Sequence, residues 1–284
     1  MKLSMNLVRA AENDRESLRW MKKVGFDGID FSFCVDQNDR EKFLSEEYRQ
    51  ERLALGKLIR EEGLEIPQCH LPYLSGDRQL RGIPYEEFEE YYFPMYVRCF
   101  EICQEIGCPV AVIHLYFSKD PDETYEGNLR LMKKLLPYLE RYDVTLAIEN
   151  IFGGGEKYTN CFVTYPEEIL RYVSEMNHPI IGICLDTGHA GIFRLNPVAM
   201  AKEYGSRLVA THIHGNGGED EHILPGMGPS WLDFTDYYAL AETLREIGYK
   251  GCFNLEVGFS TLPKIAQKAF VQLAHDAAYG YVNP

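Results

Sequence analysis

The stretch IIGICLDTGHAG, residues 180–191, decides how this chain is read. A run of apolar and small residues leads to a carboxylate, Asp186, and then to a Thr-Gly-His turn. An unbroken run of this kind reads as a strand buried on both faces, as in a parallel sheet. The same construction recurs at QCH (68–70), AVIH (111–114), LAIE (146–149), VATH (209–212) and FNLE (253–256). Each run stops at a side chain able to bind a metal: His70, His114, Glu149, Asp186, His212 and Glu256. Successive ends lie 26 to 44 residues apart, room for one strand, one helix and two loops. One buried strand often ends in a polar residue where it meets water. Six metal-capable ends in succession ask for a common target, and a parallel barrel supplies one at the C-terminal mouth of its strands.

Alternation along a strand sharpens this reading. Gln68, Val112, Ala147, Cys184, Ala210 and Asn254 stand two residues before the six ends and are expected to point into the barrel. Ile113, Ile148, Leu185, Thr211 and Leu255 are expected to face the helices. Two further strands, over 2–7 and 28–33, end without an obvious ligand. The others fall at 65–72, 110–116, 145–150, 180–191 with its turn, 208–216 and 251–257. Helices are expected over 12–25, about 46–62, 84–106, 123–141, from Thr164 onward, 234–247 and 261–280. With no linker or low-complexity tract, the chain reads as an α/β protein, a single (β/α)8 TIM barrel domain over 1–284.

Composition narrows the function. Hydrophobic content is 45%, and 43 acidic against 29 basic residues give a formal net charge of −14. That balance disfavours a broad nucleic-acid footprint, which needs Lys and Arg. The N-terminus has no signal-peptide pattern and no run is long enough for a membrane helix, so a cytoplasmic protein is expected. Eight cysteines without CxxC spacing, Cys161 among them, read as small buried thiols. The aromatic stripe of the 84–106 helix, from Tyr85 to Phe100, reads as packing or as a subunit contact, which leaves a homo-oligomer open. The glycines at 153–155 allow close approach to a ligand or a lid, but make no phosphate fingerprint. Basic residues near strand ends are few, Lys119, Lys157 and Arg194, so no phosphate clamp is evident.

Glu149, Asp186, His212 and Glu256 form the strongest cluster, a hard O/N donor set suited to Mn²⁺, Mg²⁺, Co²⁺ or Zn²⁺. Three carboxylates so close would repel one another without a cation. His70, His114, His189, Asp220 and His222 surround them and read as ligands for further metals, up to three in all, or as substrate contacts. His214 shares the face of His212 but falls in the loop, and a ligand role for it is not expected. His178 and His275 read as surface histidines.

The runs CHLPY (69–73), VIHLY (112–116), AIEN (147–150), CLDTGHA (184–190), THIHGN (211–216), DEHILPGMG (220–228) and NLEV (254–257) resemble strand-end motifs of the xylose isomerase-like barrel superfamily. The resemblance spans essentially the whole chain. Its sugar epimerases, similar to D-tagatose 3-epimerase, imply one metal on Glu149, Asp186, His212 and Glu256, proton transfer by Glu149 and Glu256, and substrate contact by His189. Its endonuclease IV branch implies three zinc ions on all nine residues, with Tyr73 and Leu74 pressed into DNA. Against the nuclease stand the acidic charge, a loop CVDQNDREKF (34–43) without an Arg-centred pattern, and GGEDEH (217–222) without a cation. Against the epimerase stands Gly218, where an Arg would be expected. The resulting expectation is a metal-dependent sugar or sugar phosphate isomerase or epimerase working through an enediolate on a small-molecule sugar. The alternative is a zinc phosphodiesterase acting on abasic DNA.

Overall fold

A computed structural model describes residues 1–9, 11–74, 83–118, 120–151, 163–229, 231–259 and 261–284. Lys119, Lys157, Cys161, the glycines at 153–155 and most of the loop after Tyr73 lie outside the described residues. Eight strands alternate with helices: β1 Leu3–Asn6, β2 Gly28–Ser32, β3 Cys69–His70, β4 Val110–Ile113, β5 Thr145–Glu149, β6 Ile181–Asp186, β7 Leu208–His212 and β8 Phe253–Leu255. All pairings are parallel, in the order β7-β6-β5-β4-β3-β2-β1-β8. A single bridge, Ile213 to Leu255, closes β7 onto β8, with Ile213 N–H donating to Asn254 O at 2.7 Å. The fold is a single (β/α)8 TIM barrel.

Among the described residues the helices are α1 Asp14–Val24, α2 Arg40–Leu44, α3 Glu46–Glu61, α4 Tyr85–Ile106, α5 Pro121–Tyr142, α6 Pro166–Met176, α7 Thr187–Ile192, α8 Pro197–Tyr204, α9 Tyr237–Glu246 and α10 Lys264–Val282. The start of α1 follows side-chain capping, Asn13 Oδ1 accepting from Glu16 N at 2.9 Å, with acids in the first turn and lysines in the last. Three helices were not anticipated. The five-residue α2 and six-residue α7 are too short to show periodicity. The α8 start did carry a signal, an Asn196 cap followed by Pro197 at N1. β3 is shorter than the run 65–72, because only two residues pair with both neighbours.

The alternation holds. Val112, Ala147, Cys184 and Ala210 form their own buried cluster inside the barrel. Ile113, Ile148, Leu185 and Leu255 belong to the larger core between strands and helices. Thr211, the polar exception, donates its hydroxyl to Cys252 O at 2.9 Å and is buried without strain. The aromatic face of α4 is packing: Tyr85, Phe88, Tyr92, Tyr96 and Phe100 are all buried.

Candidate metal centre and its surroundings

All six strand-end residues meet at one mouth. His212, at the end of β7, is fully buried and its Nδ1 faces three carboxylates. Glu256 Oε2 lies 3.0 Å away, Glu149 Oε1 3.1 Å and Asp186 Oδ2 3.9 Å. Two bonds of ~2.1 Å meeting at ordinary coordination angles span about 3.0–3.4 Å, so the Glu256 and Glu149 contacts suit one shared cation, with Asp186 somewhat beyond that span. Glu149 Oε1 and His212 Nδ1 are buried and have no hydrogen-bond partner. A polar atom left so is costly, and a cation would satisfy both. The donor set therefore fits a divalent metal.

The surrounding residues fall into two groups. On one side His70 Nε2 approaches His114 Nε2 at 3.1 Å, and His114 Nε2 approaches Glu149 Oε2 at 3.1 Å. His70 Nδ1 lies 2.8 Å from Leu71 O, which assigns the proton to Nδ1 and turns Nε2 toward the site. On the other side Asp220 Oδ1 lies 3.2 Å from His222 Nε2 and 3.5 Å from His189 Nε2. His189 is placed by α7, which starts directly from β6. Asp186 Oδ1 caps that helix by accepting from His189 N at 2.6 Å, and the imidazole Nδ1 lies 2.9 Å from Asn150 O. His222 has φ 49°, in the left-handed region, where a residue with a Cβ is held at a conformational cost.

Mutual charge governs this cluster. Burial pushes the Glu149 carboxyl up, but His212, His114 and His189 outweigh it and hold it well below the carboxylate range. Burial opposes a proton on His189, yet Asp186, Asp220 and Glu149 keep it charged well above the usual imidazole range. His212 and His70 are raised against burial in the same way, Cys184, Glu256 and Glu149 contributing at the first and Cys34 and Glu149 at the second. His114 goes the other way, lowered chiefly by burial. His222 is raised to about 9, with Asp220 and Glu256 overcoming burial.

His214, not expected as a ligand, packs directly behind the site. It is fully buried, and its Nε2 lies 3.0 Å from Asp186 Oδ2. A methyl group on Gly188 would sit 1.9 Å from its ring, so only glycine admits this approach. Its position two residues beyond His212 was the available signal. Asp30 was also missed. It stands on β2 inside the barrel, 3.4 Å from His212 Nε2. A cavity of about 590 Å³ opens over the site, and its lining includes Arg9 and Arg52, neither of which lies at a ligand-bearing strand end. Arg194 is exposed and is not among the lining residues.

The family model for xylose isomerase-like TIM barrels matches residues 18–272. The chain belongs to that family. Alignments to the first two curated relatives, both uncharacterised proteins, span about half of those relatives' length, 56% and 52%. L-ribulose-5-phosphate 3-epimerase UlaE of Salmonella typhimurium is 26% identical over 262 residues, 87% of this chain and 82% of the enzyme. Among family-like folds, the D-psicose 3-epimerase of Clostridium cellulolyticum H10, solved with D-tagatose, superposes with TM-score 0.73 at 16% identity over the whole of both chains. The IolI protein, solved with a bound zinc atom, superposes with TM-score 0.70 at 18% identity, again over both whole chains.

Proposed function

We propose that this family member is a divalent-metal-dependent sugar isomerase or epimerase. The observation that carries the reading is the pair of glutamates that both approach His212 Nδ1, at 3.1 and 3.0 Å, from strand ends three positions apart around the barrel. The likeness to UlaE supports the same class. Glu149, Asp186, His212 and Glu256 would hold the metal, and Mn²⁺, Co²⁺, Mg²⁺ or Zn²⁺ suits the donors. When bound, the cation would polarise the oxygens of a keto sugar and acidify the C–H between them. Glu149 and Glu256 then face that carbon from two sides; one removes its proton and the other returns it, by way of the sugar's enediolate. Glu149 is buried with its carboxyl held well below the usual range by His212, His114 and His189, as a base requires, while Glu256 is a quarter exposed at the mouth. His189 and His222, which line the same cavity, would meet the sugar's hydroxyls.

The deciding experiment is solvent exchange. Ketopentoses and ketohexoses, free and phosphorylated, are incubated with protein and Mn²⁺ in D₂O. Deuterium should enter at the carbon beside the carbonyl of at least one sugar. A second reading has its own support, since all nine residues of a three-zinc phosphodiesterase pattern line or floor one mouth. If no sugar exchanges while an abasic-site duplex is nicked and three zinc ions are found per chain, the nuclease replaces the epimerase.

A further inference from the structure

Four buried polar atoms at the floor of the site lack a hydrogen-bond partner: Glu149 Oε1, His212 Nδ1, His212 Nε2 and Asp30 Oδ1. A cation held as proposed above accounts for the first two. The other two belong to groups that already touch, with His212 Nε2 3.4 Å from Asp30 Oδ2 but off the line of a hydrogen bond. We propose that Asp30 is a positioning residue that accepts the Nε2–H of His212 and so turns the Nδ1 lone pair toward the metal. This inference rests on the metal reading of the site.

Asp30 is built to stay in place. It is 6% exposed, below the mouth and inside the barrel. Gln68 Nε2 donates to its Oδ2 at 3.0 Å and Asn254 Nδ2 donates to the same oxygen at 2.7 Å. Ser4 Oγ donates to Asn254 Oδ1 at 2.7 Å, which fixes that amide's orientation, and Gln68 Nε2 also reaches Thr211 O at 3.3 Å. These contacts hold Oδ2 and leave Oδ1 free. His212 Nε2 lies 3.4 Å from this held carboxylate, so a small turn of the imidazole would bring its N–H onto Asp30.

The amides do not explain why the group is a carboxylate. Asparagine could accept from them as well, without the cost of a buried charge. Among the described residues His212 is the one basic group within 4 Å of Asp30. The charge is useful only toward that imidazole. A metal-binding histidine commonly donates its other ring N–H to a carboxylate, which sets its tautomer and raises its strength as a ligand.

The test uses apoprotein prepared with a chelator and titrated calorimetrically with Zn²⁺. Asp30→Asn and Asp30→Ala should each weaken Zn²⁺ binding about 10–100-fold. The wild-type protein loaded with Zn²⁺ supplies a second readout that needs no variant. Its long-range ¹H–¹⁵N spectrum should show His212 with the proton on Nε2, in slow exchange. Unchanged Zn²⁺ affinity in a folded Asp30→Asn protein, or a wild-type His212 lacking that Nε2 proton, overturns the proposal while leaving the metal reading intact. A wild-type protein that binds no Zn²⁺ takes both down.

Discussion

The two halves of the barrel interior are built on different principles. Beneath the site, β4 to β7 contribute Val112, Ala147, Cys184 and Ala210, a dry stack of small apolar groups. Facing them, Ser4, Asp30, Gln68 and Asn254, from β1, β2, the approach to β3 and β8, are joined by hydrogen bonds of 2.7 to 3.0 Å. The apolar half fills volume and sets how deep the ligand residues above it sit. The polar half fixes orientation, because each of its bonds needs one particular partner. Glu149 and Asp186 stand over the first half, while His212 touches both.

The largest effect is expected directly above the apolar half. Glu149→Gln keeps the side chain's shape but removes the base, and turnover of any accepted sugar should fall about 10²- to 10⁴-fold. Equal turnover in wild type and variant, measured as deuterium incorporation, would remove Glu149 from the chemistry.

In the polar half, Asn254→Leu leaves Ser4 Oγ without its acceptor and takes one donor away from Asp30 at once. It should cost about 2–4 kcal/mol by urea unfolding, since each buried polar group left unpaired costs about 1–3 kcal/mol. A cost below that of a simple cavity would show that the polar half is interchangeable filler.

Acidity separates the cation-free and cation-bound proteins. His70, His189 and His212 are raised above the imidazole value, so the stability they add without metal is complete below about pH 6.5 and is lost as pH rises through their folded values. Glu149 and Asp186 are lowered, so theirs is present above about pH 4 and is lost in acid. Metal binding instead needs neutral imidazoles. The gap between melting temperatures with Mn²⁺ and with chelator should therefore widen from about pH 6 to 8.5. A constant gap would detach these histidines from the cation.

The smallest effect belongs to the apolar stack. Val112→Ala removes two methyl groups and should cost about 2 kcal/mol, with Zn²⁺ affinity unchanged. A change in affinity would mean that the stack also orients ligands.

This contrast also explains what could be read in the sequence. The strands that carry Glu149, Asp186 and His212 are apolar runs ending in one polar side chain, so their register and the meeting of those ends were legible together. Asp30 was not, because it sits in the middle of GIDFSF and its meaning depends on Gln68 and Asn254, distant in sequence and bonded to it only in the closed barrel. The alternation put His214 on the face of His212, but its contact with Asp186 was not legible, because the two residues lie on different strand ends that meet only in the closed barrel. Arg52 lies on a helix, and nothing local marks that helix face as cavity wall.

The closure of the barrel has a consequence for motion. Seven of the eight strand junctions are parallel ladders, the β6–β7 one with a register shift at Ile183/Cys184, but β7 meets β8 through one bridge, beside Glu256 N–H donating to Ile213 O at 3.2 Å. His212 and Glu256 stand on either side of that seam. An ion gripping both would act as a rivet across the weakest joint of the hoop. The amides of Ile213 and Glu256 would then exchange with solvent deuterium at a rate set by occupancy, a clock for the site that ticks without any substrate.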